Sequence, residues 1–382
     1  MRVALLSVLA ACSADPKVGP ADTAVDTEAL EWTPPDVPGP YGVGVRTLTW
    51  TDARGKELTA DVWYPAHVEE GDAPSDYPPF TLAIGAHRGA PIDVRGRPHP
   101  LAAFSHGFAG IRFQSAFLME HLASRGWVVV APDHNLNTFL DINAGVTAQV
   151  TIERPGDIRE AVDHLLAWSD ARTDGWVGAV DGSRYAMIGH SFGALTTLMV
   201  AGGSVDLYGV IERCVAGEGD GQACRYIDDI EPDAVVGLQE ADPRAEVAVP
   251  LSPGVWYGFG PDGEGLGTMA PSLVLGGTKD RVLDYEDEIV GTYTRLASPK
   301  TFGRYEGGGH YVFTDICLIA PFFSPECEDP EGWIDLDAAQ ATTKALVAAW
   351  LDVNFLDEPR SAPWTTVEGL GSPEFLSIEG EE

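Results

Sequence analysis

Residues 189–193 read Gly-His-Ser-Phe-Gly, a serine between two glycines. That spacing suits a sharp strand-to-helix turn. A Cβ at Gly189 or Gly193 would clash there, and the turn lifts the Ser191 hydroxyl clear of the backbone. The helix that follows offers free N–H groups and partial positive charge at its start. A serine so placed is a nucleophile for acyl transfer. It needs a base, an acid to orient the base, and N–H donors for the oxyanion. Candidates follow in chain order. Leu273-Val274-Leu275-Gly276-Gly277-Thr278-Lys279-Asp280 reads as a strand, a small-residue turn and a carboxylate. Asp280 is the expected acid. Asp284 is its rival, and capping of the next helix is the competing role for Asp280. His310 follows three glycines, 307–309, in a loop able to bring its ring to the nucleophile, and is the expected base. His106 is a rival base, but it precedes the serine, and in this arrangement the order is serine, acid, histidine. The Ser105-His106-Gly107-Phe108 turn offers the Phe108 N–H as an oxyanion donor beside that of Phe192.

These residues require a scaffold of buried strands. Val43–Trp50 and Leu58–Tyr64 read as strands, and 66–98 as loop. Leu101–Ser105, Val128–Ala131, Tyr185–Ile188, Val247–Leu251 and Ser272–Leu275 are short apolar runs of the kind that fill a covered parallel sheet. Helical spacing links Phe113, Phe117, Leu118 and Leu122. It recurs in Ile158, Val162, Leu165 and Leu166, in 192–202, and in Leu346, Val347, Trp350 and Leu351. The alternation predicts an α/β fold with a mostly parallel central sheet and helices on both faces. Residues 203–243 interrupt it and are expected to form an insertion, either a lid or a stapled surface loop. The catalytic domain is expected over 41–356, after a flexible linker, 13–40, and before a C-terminal tail, 357–382.

The chain of 382 residues carries a formal charge of −34, which repels phosphate backbones and anionic lipid. Nucleic acid is therefore excluded as a partner, and an uncharged substrate is favoured. Hydrophobic residues make up 45% of the chain, enough for a large core. Met1-Arg2, the apolar run 3–11 and Cys12 after Leu9-Ala10-Ala11 read as an export signal. That signal is too short to span a bilayer. Its ending resembles a bacterial lipoprotein signal with Cys12 as the lipidated residue, the only membrane attachment expected. The alternatives are an ordinary cleaved signal and a mis-assigned start. Cys214 and Cys224, and Cys317 and Cys327, form two local pairs of equal spacing. Pairing within each is the simplest of three connectivities in an oxidising compartment. No Cys or His spacing suggests a metal, and no cofactor is expected. His67, His87, His99, His121, His134, His164 and His190 have structural readings, with His190 packed under the serine turn. A monomer is expected.

Four stretches together carry a family resemblance: His-Pro-Leu-Ala-Ala-Phe-Ser-His-Gly-Phe (99–108), Val-Ala-Pro-Asp-His (130–134), Arg-Pro-Gly-Asp-Ile-Arg (154–159) and Gly-His-Ser-Phe-Gly-Ala (189–194). Asp-Val-Trp-Tyr-Pro (61–65) fits with them. Over about 41–355 the chain resembles the bacterial predicted dienelactone hydrolase group of α/β-hydrolases. That group is related to platelet-activating-factor acetylhydrolases and, more distantly, to cutinase-like polyester hydrolases. The resemblance implies a serine esterase of carboxylic esters, with Ser191, His310 and the Phe108 and Phe192 donors in the family's roles. Two departures stand out. The acetylhydrolase acid position falls in Pro250-Leu251-Ser252-Pro253-Gly254, which has no carboxylate, so the acid moves one strand on, to Asp280. Dienelactone hydrolases use a cysteine where this chain has Ser191. A peptidase or amidase with the same residues, and a non-catalytic binding protein of this fold, are the other classes. The first needs a site for a protonated leaving amine, the second a broken triad.

Overall fold

The computed structural model describes residues 30–82, 84–217, 240–328 and 332–381. These form a mixed sheet of ten strands: β1 (Gly42–Thr51), β2 (Glu57–Ala66), β3 (His87–Arg88), β4 (His99–Ser105), β5 (Val128–Pro132), β6 (Val180–His190), β7 (Ala245–Leu251), β8 (Ser272–Gly277), β9 (Lys300–Tyr305) and β10 (Leu376–Glu381). Across the sheet the order is β10-β9-β8-β7-β6-β4-β5-β2-β1-β3. The block from β5 to β9 is parallel, while β2 and β10 join it antiparallel. The principal helices are α1 (Ala116–Ser124), α2 (Thr147–Asp170), α3 (Phe192–Val200), α4 (Leu207–Ala216) and α5 (Leu336–Asn354).

Strand alternation sends side chains to two cores. Ala102, Phe104, Ala186, Ile188, Val247 and Val249 face α1 and α5, against Leu118, Leu122, Leu346 and Trp350. Leu101, Ala103, Tyr185, Met187 and Ala248 face α2 and α3, against Ile158, Val162, Leu165 and Leu198. Each fully buried Leu or Ile contributes about 1.5–3 kcal/mol. The strands read as unbroken apolar runs because both faces are covered. This is the α/β-hydrolase fold. The parallel strands end on one edge, and there the loops after β4, β6, β8 and β9 converge, as ligand sites in such sheets do.

Two boundaries differ from the sequence reading. The segment expected as tether, 13–40, is docked where it is described. Arg125 donates to the carbonyls of Thr33 and Pro34 at 3.1 and 2.8 Å, His121 Nε2 donates to Pro35 O at 2.9 Å, and Trp32 packs edge-on to Trp364. A Pro-rich segment outside any sheet has no regular partner, so its carbonyls take side-chain donors instead. The expected tail, 357–382, also belongs to the domain. Pro359–Thr365 forms a short 3-10 helix beside α5, and β10 pairs along β9 from Leu376↔Tyr305 to Glu381↔Lys300. Lone apolar residues at Leu376 and Ile378 gave little periodicity to read. In the insertion, α4 is a regular helix capped by Asp206. Residues 218–239, with Cys224, and residues 1–29, with Cys12, lie outside the described residues.

Candidate active site

β6 delivers Ser191 in a left-handed backbone conformation, φ 56° and ψ −118°. A non-glycine residue there costs about 1–3 kcal/mol, and such strain collects at functional turns. Ser191 occupies the N-cap of α3, yet its hydroxyl makes no capping bond. A serine at that position ordinarily spends its oxygen on the helix. Here Oγ forms no hydrogen bond among the described residues and remains half-exposed. The flanking glycines are obligatory: a Cβ on Gly189 would overlap the Gly193 carbonyl, and one on Gly193 would overlap that of Ser105.

The loop after β4 lies directly against this turn. A Cβ added to Gly107 would stand 3.4 Å from Ser191 Cβ. The Gly107 carbonyl accepts from His106 Nδ1 at 2.8 Å and Gly110 N at 3.0 Å. In a trans peptide the N–H points opposite the C=O, so the Phe108 N–H is turned away from these partners. The Ser191 carbonyl accepts from Ala194 and Leu195 along α3, which turns the Phe192 N–H out of the helix start. Neither N–H is engaged among the described residues, and the two rings lie 6.0 Å apart. The arrangement can hold an anionic oxygen.

His310 and Asp280 come together from the ends of β9 and β8. His310 Nδ1 donates to Asp280 Oδ2 at 2.6 Å. Both side chains are buried, with 2% and 0% exposed. Asp280 Oδ1 accepts from Val282 N and Leu283 N, each at 2.8 Å, so this carboxylate also closes its own turn. Burial alone would raise its pKa. The charge and hydrogen bond of His310 and the Leu283 and Val282 N–H groups outweigh that and hold it below the usual range. Asp284, the rival acid, caps the following helical turn by accepting from Asp287 N at 2.8 Å. His106, the rival base, is fully buried, and its Nε2 accepts from His134 N at 3.0 Å.

His190 packs beside this pair, its ring 4.7 Å from that of His310. Burial first, then the charge of His310, pulls its pKa down to about 3, so it is neutral. Its Nε2 donates to the His310 carbonyl at 2.8 Å, and its Nδ1 accepts from Gln114 Nε2 at 3.1 Å. Gln114 Oε1 in turn accepts from Gly107 N at 3.0 Å. One buried amide therefore ties the β4 loop, the serine turn and the His310 loop together. Glu326 fixes the far side, accepting from His310 N at 2.7 Å and Arg281 N at 3.1 Å. It sits next to Cys327, which is bridged to Cys317 in a disulfide with Cα atoms 5.0 Å apart. Nothing local in the sequence distinguishes Gln114 or Glu326, because their partners lie far away along the chain.

A second Ser–His–Asp set lies beneath the site. Ser105 Oγ donates to His134 Nε2 at 2.9 Å, and His134 Nδ1 donates to Asp157 Oδ2 at 3.0 Å. All three are fully buried. Asp157 also accepts from Lys56 Nζ at 2.8 and 2.9 Å and from Arg54 Nη2 at 3.2 Å. Arg154, one turn before Asp157 on α2, is wholly buried against them. Arg154 and Asp157, three apart on α2, share a helix face, and both lie in the 154–159 stretch that carries part of the family resemblance.

Residues 79–154 match the family described as platelet-activating factor acetylhydrolase, isoform II. The matched segment contains Gly107, Phe108, Gln114 and Arg154 and ends before Ser191. Two cutinases of Thermobifida alba, est1 and est2, are 33% and 31% identical over 111 and 109 residues. Each alignment takes in 28% of this chain and spans about a third (32%) of the cutinase. A solved ferulic acid esterase from Streptomyces cinnamoneus superposes with a TM-score of 0.58 at 23% identity, covering 84% of this chain and 92% of that one. At that identity the likeness shows the fold. The chain thus shares the α/β-hydrolase fold, and its partial sequence matches are to esterases of that fold.

Proposed function

We propose that the chain is a serine carboxylic-ester hydrolase, with Ser191 as nucleophile, His310 as base and Asp280 as the orienting acid. The observation that carries the reading is the convergence at one sheet edge of three parts: a strained serine with a free hydroxyl, two unused N–H groups, and a carboxylate–imidazole pair. His310 Nε2 takes the Ser191 proton as Oγ attacks the ester carbonyl carbon. The Phe108 and Phe192 N–H groups hold the developing oxyanion. The alcohol C–O bond breaks and the alcohol leaves with the proton from His310. Water, deprotonated by the same ring, then releases the acid. An amide-cleaving version of this site would need a feature for the leaving amine, and no observation favours it.

An uncharged, apolar ester fits the surroundings. Phe108, Leu136, Phe139 and Leu140 are exposed on neighbouring loops, joined where Phe139 N donates to Gly110 O at 2.8 Å. That exposed rim also favours a lipid or polymeric ester as a second reading of the same site. Export is supported by the residue 1–12 pattern and by the Cys317–Cys327 disulfide.

The test is labelling with a fluorophosphonate, followed by p-nitrophenyl esters of rising chain length and a polyester film. Wild type is expected to be labelled at Ser191 and Ser191→Ala to be silent. An unlabelled wild type sinks the reading. Palmitate incorporation that disappears in Cys12→Ala is expected for the anchor; no incorporation in the full-length chain removes it.

A further inference from the structure

The Arg154 guanidinium is buried completely, yet it touches every part that aims the two oxyanion donors. Nη2 donates to the His106 carbonyl and, at 3.1 Å, to Ser105 Oγ. Nε donates to Thr196 Oγ1 on α3 at 3.0 Å. Nη1 donates to Asn137 Oδ1 at 2.8 Å, and the cation lies 4.5 Å from the Phe192 ring centroid. Burial pulls its pKa down to about 9 against the pull of Asp157, so it stays charged at neutral pH.

These contacts form a mechanical chain. Fixing the His106 carbonyl fixes the residue whose Nδ1 holds the Gly107 carbonyl. The Gly107 carbonyl sets the direction of the Phe108 N–H. Thr196 is one turn from Phe192 and donates to its carbonyl at 3.2 Å. The planar fork of arginine can hold both sides at a fixed spacing, whereas a lysine is a single point charge. We propose that Arg154 is the positioning residue of the oxyanion hole: one guanidinium clamps the loop after β4 that carries the Phe108 amide to the helix that carries the Phe192 amide. Oxyanion stabilisation depends on donors fixed before charge develops, so the clamp acts on the transition state more than on the bound ester. The inference rests on the esterase reading above.

The experiment compares wild type with Arg154→Lys, Arg154→Met and Thr196→Val, each checked for folding by thermal melt. Three quantities are read on a p-nitrophenyl ester: kcat, KM and the inhibition constant of an arylboronic acid. The boronate adduct of Ser191 places a tetrahedral oxygen in the hole. The Arg154 variants are expected to lose kcat on the order of 100-fold, with KM within about threefold. Boronate affinity should fall in parallel. A purely structural role would lower the melting temperature and leave kcat and boronate affinity of the folded fraction unchanged, which overturns the proposal. Should both Arg154 variants fail to fold, Thr196→Val decides. It removes one arm of the clamp and is expected to lower kcat and boronate affinity together by about threefold; no change in either overturns the clamp. A wild type that hydrolyses no ester fails the esterase reading and this inference with it. An active wild type with indifferent variants fails the clamp alone.

Discussion

Two Ser–His–Asp sets lie close together in this fold, and the proposed chemistry belongs to only one of them. In the buried set, Ser105, His134 and Asp157 are joined end to end at 2.9 and 3.0 Å. In the edge set, the His310–Asp280 bond is 2.6 Å, while Ser191 Oγ makes no bond at all among the described residues. By hydrogen-bond count the buried set is the more complete triad. Its serine, however, also accepts from Arg154, lies on relaxed strand backbone and has no path to solvent. Its histidine is held neutral, well below the ordinary pKa, by burial first and then by the charges of Arg154 and Lys56. A satisfied polar network rigidifies a core. A nucleophile needs the opposite, an oxygen within reach of both its base and the substrate and N–H groups left without acceptors.

The sharpest way to break this contrast is to delete each serine in turn. Ser191→Ala should lose ester hydrolysis on the order of a million-fold and all fluorophosphonate label, with a melt like wild type. Ser105→Ala should remain labelled, keep kcat within about tenfold and lose about 1–3 kcal/mol of stability through two lost hydrogen bonds. Label retained in Ser191→Ala and lost in Ser105→Ala would reverse the assignment.

The two aspartates carry the next effect. Asp280→Asn should lower kcat about ten-thousand-fold, because an amide cannot hold His310 in the working tautomer, with a smaller loss of stability than at Asp157 because Oδ1 still accepts from Val282 N and Leu283 N. Asp157→Asn should act the other way. It leaves Lys56 and Arg54 facing a neutral group in a buried site, at a cost of about 3–5 kcal/mol, with activity per folded molecule nearly intact. Kinetics paired with urea unfolding separates the two. Matching losses of kcat in both variants would show that the buried set takes part in the chemistry.

How much of this was legible follows from range. Ser191, Asp280 and His310 each sit just past a strand in a small-residue turn, and such a turn is a local signal. The parallel sheet was legible for the same reason, since strands covered on both faces are unbroken apolar runs. The clamp was not. Arg154 meets Ser105 and Thr196 across 49 and 42 residues, and Gln114 meets His190 across 76. Only the folded sheet brings them together. β10 escaped because an edge strand needs few apolar residues when its neighbour supplies the hydrogen bonds. In the sequence Ser105 belongs to the oxyanion loop and His134 has a structural reading, and their pairing is a property of the β4–β5 register.

The smallest effect concerns carboxylates that neither set uses. Glu120 accepts from Tyr77 Oη at 2.6 Å, and Asp315 accepts from Phe117 N at 2.9 Å, both in the core between α1 and α5. Burial raises Glu120 from 4.5 to about 7, against the hydrogen bonds of Tyr77, Ala86 and Gly85 and the charge of Lys344. Burial likewise raises Asp315 from 3.8 to about 7, with the charge of Glu120 adding to it and Phe117, Gln340 and Lys344 opposing. The sign follows from proton counting: between the ordinary and raised values the folded state binds more protons than the unfolded chain. Their contribution is therefore full below about pH 4 and is lost as pH rises through about 7. Asp280 has the opposite sign, because its depressed pKa makes its contribution present at neutral pH and lost on acidification. Urea midpoints at about pH 5 and about pH 8 should differ more in wild type than in a Glu120→Gln, Asp315→Asn double variant, whose midpoint at the higher pH should rise. General self-repulsion of a chain with a charge of −34 also weakens the fold as pH rises, but it acts equally on both proteins. Equal slopes would mean that these two acids are ionised and paired in the folded state. The comparison would then lose its third term: carboxylates kept neutral by burial, beside one paired to lysine and arginine and one paired to the His310 ring.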